Sequence, residues 1–404
     1  MRYSDMPSAF FPAVEPDAAV HPILEELRPA VDAQAELLGD VDPKVHTELR
    51  VDIAADGVVQ RRRFYWSAQH ADPRSPLGFG ARTLYCGATD APRGYVFPSE
   101  PALVWLDDPD GPLRFDGDLA SVEILRYIPL RRLTYRLHDG VGLPASVIAK
   151  AKRTGGLNRA ATALLAVNEA TGGRRARGGP TVPRLLRLEP LRHVLYLEEL
   201  PGEPLDVALQ RLDLTEAMEQ LGTLHRELHE LDVRGLPQRR TTADWLQDAR
   251  QAATQIGLFA PSVAREAQAV HAELERTVPE EGRLMFGQGD FLPGQVLCDP
   301  SGWSVIDFDD SRYADPLFEV AALYAALPGE LRLPPDLAER AQRTYLEAYA
   351  RRSGEPIDPD RWRWFLVLVQ LSVLAKRLVK GRAPAGEAAS VLERLVRPQE
   401  RVVG

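Results

Sequence analysis

The chain has 404 residues, enough for two or three domains and a substantial core, and its 45% hydrophobic and 26% charged content is ordinary for a globular protein. A net charge of −9 argues against a nucleic-acid partner, which would need a basic face. Only Cys86 and Cys298 are present, which excludes a disulfide framework and points to a reducing compartment, the cytoplasm.

The first residues carry no apolar run of the signal-peptide kind. Residues 1–45 are rich in Pro and Ala, with a helix expected over 23–38. Strand-like alternation follows over 46–115, as in Leu49-Arg50-Val51-Asp52-Ile53, with turn signals at Asp56-Gly57 and Asp110-Gly111. Residues 1–118 read as an N-terminal extension that packs on the domain after it. Over 119–200 the pattern is strands at 122–127, 133–137 and 146–152, a helix at 158–170, a Gly- and Arg-rich loop at 171–180, and a strand at 194–197. From 201 to 404 the chain reads as mainly helical: 215–231, 242–255, 261–277, 317–327, 335–353 and 360–379, interrupted by strands over 295–307. The longest apolar tract, Phe365 through Ala375, is broken by Gln370 and falls short of the ~20 residues a span needs. It reads as a buried helix, and no membrane partner is expected.

The stretch with most chemical content is Gly287-Gln288-Gly289-Asp290-Phe291-Leu292-Pro293-Gly294-Gln295-Val296-Leu297, followed by Val305-Ile306-Asp307-Phe308-Asp309. Asp290 and Gln295 stand five apart, as do the base and the metal-binding amide of the protein-kinase catalytic loop. Asp307, with its trailing Phe, then follows as the metal-binding aspartate of such a site does. Phosphoryl transfer needs a carboxylate beside the attacking hydroxyl and oxygen ligands for Mg²⁺ near the phosphates. Asp290 suits the first task, Gln295 and Asp307 the second. Two strands joined by a turn, with aspartates serving the turn, is the bland alternative.

These motifs resemble the aminoglycoside phosphotransferase and choline kinase superfamily, whose signature is close to His-Gly-Asp-x-x-x-x-Asn followed by Ile-Asp-x-x-Asp. The version with Gln at position 295 is more similar to the maltokinase and glucosamine kinase branch. Tyr313 through Ala321 resembles the helix start after that signature, and Leu200-Pro201-Gly202-Glu203-Pro204-Leu205 the segment after the adenine-binding hinge. The resemblance spans about residues 120 to 345. It implies an α+β, two-lobed, protein-kinase-like fold: a small β-rich nucleotide lobe over 119–200 and a mainly helical lobe over 201–404. The implied cofactors are ATP and Mg²⁺, and the implied substrate is a small-molecule hydroxyl acceptor. Two family histidines are absent, replaced by Gln288 and Leu292; a Gln amide, like an imidazole, can both donate and accept hydrogen bonds.

Lysine is scarce, with five in the chain, and two of these are Lys150 and Lys152. Val147-Ile148-Ala149-Lys150 resembles the family strand whose lysine meets the nucleotide's phosphates, so Lys150 is assigned that role, with Lys152 as the fallback. The carboxylate partner should come from the next helix, where Glu169 is the one acid before Glu189, although it lies late in the helix. The phosphate-covering loop falls at Tyr127 to Arg132. There Leu130 replaces a usual Gly, and Arg131 or Arg132 would supply charge, a purely structural hairpin being the alternative. Adenine would meet backbone groups of Glu198, Glu199 and Leu200. His225 and His229 have the i, i+4 spacing of a zinc pair, but Arg226 occupies the place of a catalytic Glu, so core packing is the reading. Asp315, before Pro316, reads as a helix cap, and Asp309 either supports the metal site or lies in a solvated loop.

The expected activity is ATP-dependent phosphorylation of a hydroxyl on a sugar or aminosugar. An aminoglycoside-type antibiotic kinase and a Ser/Thr kinase acting on a biosynthetic peptide are alternatives. A non-catalytic, nucleotide-binding pseudokinase is the contrasting class. The missing Gly and His and the displaced Glu speak for it; Asp290, Asp307 and Lys150 speak against it.

Overall fold

A computed structural model describes residues 42–54, 57–70, 80–87 and 122–128, and from 132 to 396 all but short stretches at 139–145, 153, 173–179, 192, 237, 380–382 and 384. The helix expected over 23–38 and residue Arg131 lie outside the described residues. Strands β1 (Asp42–Ala54), β2 (Gly57–His70) and β3 (Gly80–Gly87) form an antiparallel sheet, and Ala54 pairs with Gly57 across the first turn.

A second, five-stranded antiparallel sheet frames the β-rich lobe. It contains β4 (Val122–Ile128), β5 (Arg132–His138), β6 (Ser146–Lys152), β7 (Leu185–Glu189) and β8 (Val194–Glu198) in the order β4-β5-β6-β8-β7. Period-2 alternation puts Val147, Ala149 and Ala151 on one buried face of β6 and Ile148, Lys150 and Lys152 on the other. Helix α1 (Thr154–Gly172) lays Leu157, Ala160, Ala161, Leu164 and Val167 into the core that also takes Leu195 and Leu197 of β8. β7 was not expected. Its alternation is poor, and each of its residues is half-buried or exposed, so no apolar stripe marks it.

Beyond the hinge the chain is helical. Following β9 (Glu203–Pro204) and the single turn α2 (Leu205–Ala208) come α3 (Leu214–His229), α4 (Thr242–Phe259), α5 (Ala264–Arg276), α6 (Pro316–Glu330), α7 (Pro335–Ser353), α8 (Pro359–Val379) and α9 (Ala385–Val396). Helix starts follow the side-chain chemistry. Asp213 accepts from the amides of Thr215 and Glu216, Thr241 and Asp244 form a capping box, and Asp315 caps α6 with Pro316 in its first turn. The apolar tract of α8 is buried at Phe365, Leu366, Leu368, Val369, Leu371 and Leu374. Among the described residues no helix is long and apolar enough to cross a membrane. Helix α9 was not expected from the sequence.

Two short sheets interrupt the helices and carry the signature. β10 (Met285–Gly287) pairs with β13 (Arg312–Ala314), and β11 (Val296–Asp299) lies between β12 (Gly302–Val305) and β9. The β10 end delivers Asp290, and the β12 end delivers Asp307. The result is a two-lobed, kinase-like architecture with the signature facing the β-rich lobe.

Candidate active site

The loop after β10 is shaped by two residues. Gly289 has φ +104°, and a Cβ there would lie 2.1 Å from the Asp310 carbonyl oxygen, so only glycine fits. Gln288 is fully buried, and its amide ties the two halves of the signature together. Its Nε2 donates to the carbonyls of Ile306 (2.9 Å) and Asp307 (2.6 Å), while its Oε1 accepts from the Asp290 amide at 2.7 Å. The replacement of a family histidine by Gln288 therefore keeps a donor and an acceptor at one point. Asp307 itself has φ 67°, ψ 56°, a left-handed conformation that Asp tolerates better than most side chains.

Around Asp307 the β-rich lobe contributes cations. Lys150 Nζ donates to Asp307 Oδ1 at 2.6 Å, and an Arg132 guanidinium nitrogen lies 3.7 Å from Oδ2. Lys150 is also 3.7 Å from Asp309 Oδ2, and Lys152 donates to the same oxygen. Burial alone would raise the Asp307 pKa, yet the charge and hydrogen bond of Lys150 hold that carboxyl well below the usual carboxylate range. Asp290 moves the other way: burial lifts its pKa, opposed by a hydrogen bond from Gln295. Two carboxylates in one site thus have divergent proton affinities.

Gln295 Nε2 approaches Asp290 Oδ2 at 3.3 Å, and its Oε1 accepts from the Leu292 amide at 3.2 Å. Glu198 and Glu199 sit at the hinge with paired side chains, Glu198 with Arg184 and Glu199 with Arg136 and Ser146; Leu200 is buried. The Glu198 amide donates to Arg184 carbonyl oxygen at 2.9 Å, so that group is already engaged. Glu169 is exposed in the last turns of α1 and exerts its charge on Arg234. The helix partner expected for Lys150 is therefore not what the structure provides. The carboxylates beside Lys150 are Asp307 and Asp309, because α1 carries its one acid too far along to reach β6.

Behind the loop, His225 and His229 occupy the core as expected. Their Nε2 atoms lie 3.2 and 3.0 Å from Glu319 Oε2, and their Nδ1 atoms 2.7 Å from the hydroxyls of Tyr345 and Tyr349. Glu319 also accepts from the amides of Gln288 and Gly289. The three ligand atoms lie within 4.8 Å of one another, consistent with a divalent-metal site. Imidazole ligands suit zinc-like ions, whereas Mg²⁺ prefers carboxylate and carbonyl oxygens. The role of Glu319 was missed in the sequence. The available signal was a pair of i, i+4 repeats, His225/His229 and Tyr345/Tyr349, on two helices.

A family model described as the phosphotransferase enzyme family matches residues 130–365. The aminoglycoside 3'-phosphotransferase of Streptomyces fradiae is 31% identical over 205 residues, 48% of this chain and 69% of that protein. Among solved structures, an aminoglycoside phosphotransferase from Streptomyces rimosus is 23% identical, with a TM-score of 0.45 over 64% of this chain and 96% of its own. A macrolide 2'-phosphotransferase from Brachybacterium faecium is 19% identical, with a TM-score of 0.46 over 70% and 94% of the two chains. The chain belongs to the phosphotransferase enzyme family. It is a kinase-like enzyme of the class that moves a phosphoryl group from ATP to a small polar acceptor.

Proposed function

We propose that the enzyme phosphorylates a hydroxyl of a sugar or aminosugar, with Asp290 as base and Lys150, Asp307 and Gln295 serving the nucleotide and its metal. The observation that carries this reading is the convergence of Asp290 and Asp307 through the buried Gln288 amide, with Lys150 on Asp307. Burial raises the Asp290 pKa and so makes its carboxylate a stronger base, as a group that takes a hydroxyl proton needs. The oxygen-rich set of Asp307 and Gln295, with Asp307 held ionised, fits Mg²⁺. Bound Mg-ATP supplies the transferable phosphoryl group and neutralises its charge. Arg132, beside Asp307, adds positive charge where phosphates would lie, and the backbone of Glu198, Glu199 and Leu200 would meet the nucleotide base.

The sugar and aminosugar assignment rests on Gln295, the feature shared with the maltokinase and glucosamine kinase branch. An aminoglycoside acceptor is the second reading, favoured by the Streptomyces fradiae relative. A peptide Ser/Thr acceptor has no such support, and a pseudokinase is disfavoured because Asp290, Asp307 and Lys150 are all present and assembled. Incubating the purified protein with Mg-ATP and a panel of sugars, aminosugars and aminoglycosides, and reading ADP release, tests the proposal. Acceptor-dependent ADP release with a sugar or aminosugar supports it; release with aminoglycosides alone, or with nothing, rejects it.

A further inference from the structure

We propose that the Lys152–Asp309 ion pair positions Lys150 for the phosphates of the nucleotide, doing here what a helix glutamate does for the strand lysine of protein kinases. The inference rests on the phosphotransferase reading of the site given above. In protein kinases that lysine must be held by a carboxylate from the neighbouring helix to be productive. Helix α1 cannot provide one: Glu169 is exposed, and Arg159 of the same helix instead reaches Asp310 at 3.2 Å. The helix thus presents a cation to the signature loop where an anion is expected.

The carboxylate comes from the other lobe. Asp309 is buried in the turn after Asp307, and its Oδ2 is shared by Lys152, in direct contact, and Lys150, 3.7 Å away. Lys150 and Lys152 lie two apart on β6 and so point to the same face, where two ammonium groups side by side repel. Asp309 relieves that repulsion and sets the spacing. With Lys152 held on Asp309, Lys150 is left to Asp307 and to whatever anion enters between them. Lys152 is itself nearly buried, with its side chain 11% exposed, a costly place for an ammonium without a partner. A lysine kept there, on a pair that spans the two lobes, is explained by this task.

The test uses the full-length protein and Mg-ATP binding measured by calorimetry, alongside thermal melting. Wild-type protein should bind Mg-ATP. Asp309→Asn and Lys152→Met should each weaken binding by about tenfold or more, and the double variant Lys152→Met/Asp309→Asn no further than the worse single, as expected of two groups acting as one unit. Asp309→Glu should recover most of the affinity. Because a single change leaves one buried charge alone, the double variant, which removes both, is the one expected to melt near wild type while still binding weakly. Wild-type affinity in the folded double variant, or losses in the singles that add, would overturn the inference while leaving the kinase reading intact. Failure of the wild type to bind Mg-ATP would overturn both.

Discussion

At the scale of single residues, Asp290 and Asp307 share a charge type and differ in environment. Asp290→Asn is expected to keep Mg-ATP binding and to lower transfer by about 10²–10⁴-fold, the usual contribution of a positioned base. Asp307→Asn is expected instead to weaken the Mg-ATP complex itself, because under the proposed reading it removes an ionised oxygen ligand. Calorimetry and ADP release on both variants separate the two outcomes; full transfer by Asp290→Asn would end the assignment. The pH profile carries a further check. A base works ionised, so activity should fall as pH drops through the pKa of Asp290, at a pH above the ordinary value of 3.8. The Gln295 hydrogen bond lowers that pKa, so Gln295→Asn, which keeps an amide oxygen for the metal but shortens the reach to Asp290, should move the acidic limb to higher pH. An unmoved limb in Gln295→Asn would show that the amide does not act on Asp290.

At the scale of elements, the site depends on two close approaches. Gln288 joins the loop after β10 to the end of β12 by two hydrogen bonds, and a third, from the Asp290 amide, braces the loop itself. Gln288→Leu should destabilise the protein by about 2–4 kcal/mol, since buried carbonyls lose their donors. Gln288→His should recover part of this, a comparison that thermal melting reads directly. Helices α3 and α7 meet at Gly222, where a Cβ would lie 2.4 Å from the Tyr345 carbonyl oxygen. That approach brings His225 and His229 to the hydroxyls of Tyr345 and Tyr349. Gly222→Val should therefore cost about 3 kcal/mol or more by forcing the helices apart. A melting temperature equal to wild type would mean that the crossing is loose.

At the scale of the whole molecule, the Glu319 network links the helical core to the catalytic loop and makes stability depend on pH. The Glu319 pKa lies well below its unfolded value of 4.5 in spite of burial, because His225 and His229 bond to it. Its contribution is complete above about pH 4.5 and is lost as the pH falls from there toward the folded value. The His225 pKa is lowered from 6.5 to about 4, chiefly by burial, so the unfolded chain takes up its proton first. That part is lost as the pH falls from 6.5 to about 4. Melting temperature should thus begin to decline below about pH 6.5 and fall more steeply below 4.5. A flat profile from pH 7 to 4 would contradict the network as described.

Much of this organisation was legible in the chain alone. The spacing of Asp290, Gln295 and Asp307, the lysines on a period-2 strand, the Asp315-Pro316 helix start and the apolar stripe of α8 are local patterns, written in residues close in sequence. The partners of Lys150 and Lys152 were not legible, since Asp307 and Asp309 lie 157 residues away in each pairing and only the docking of β6 on the turn after β12 brings them together. The same holds for Glu319, which meets His225 and His229 from 94 and 90 residues away. Local periodicity records which face of an element is buried. Which charge meets which across the interior is decided by the packing of the two lobes, where desolvation makes an unpaired ion too costly to keep.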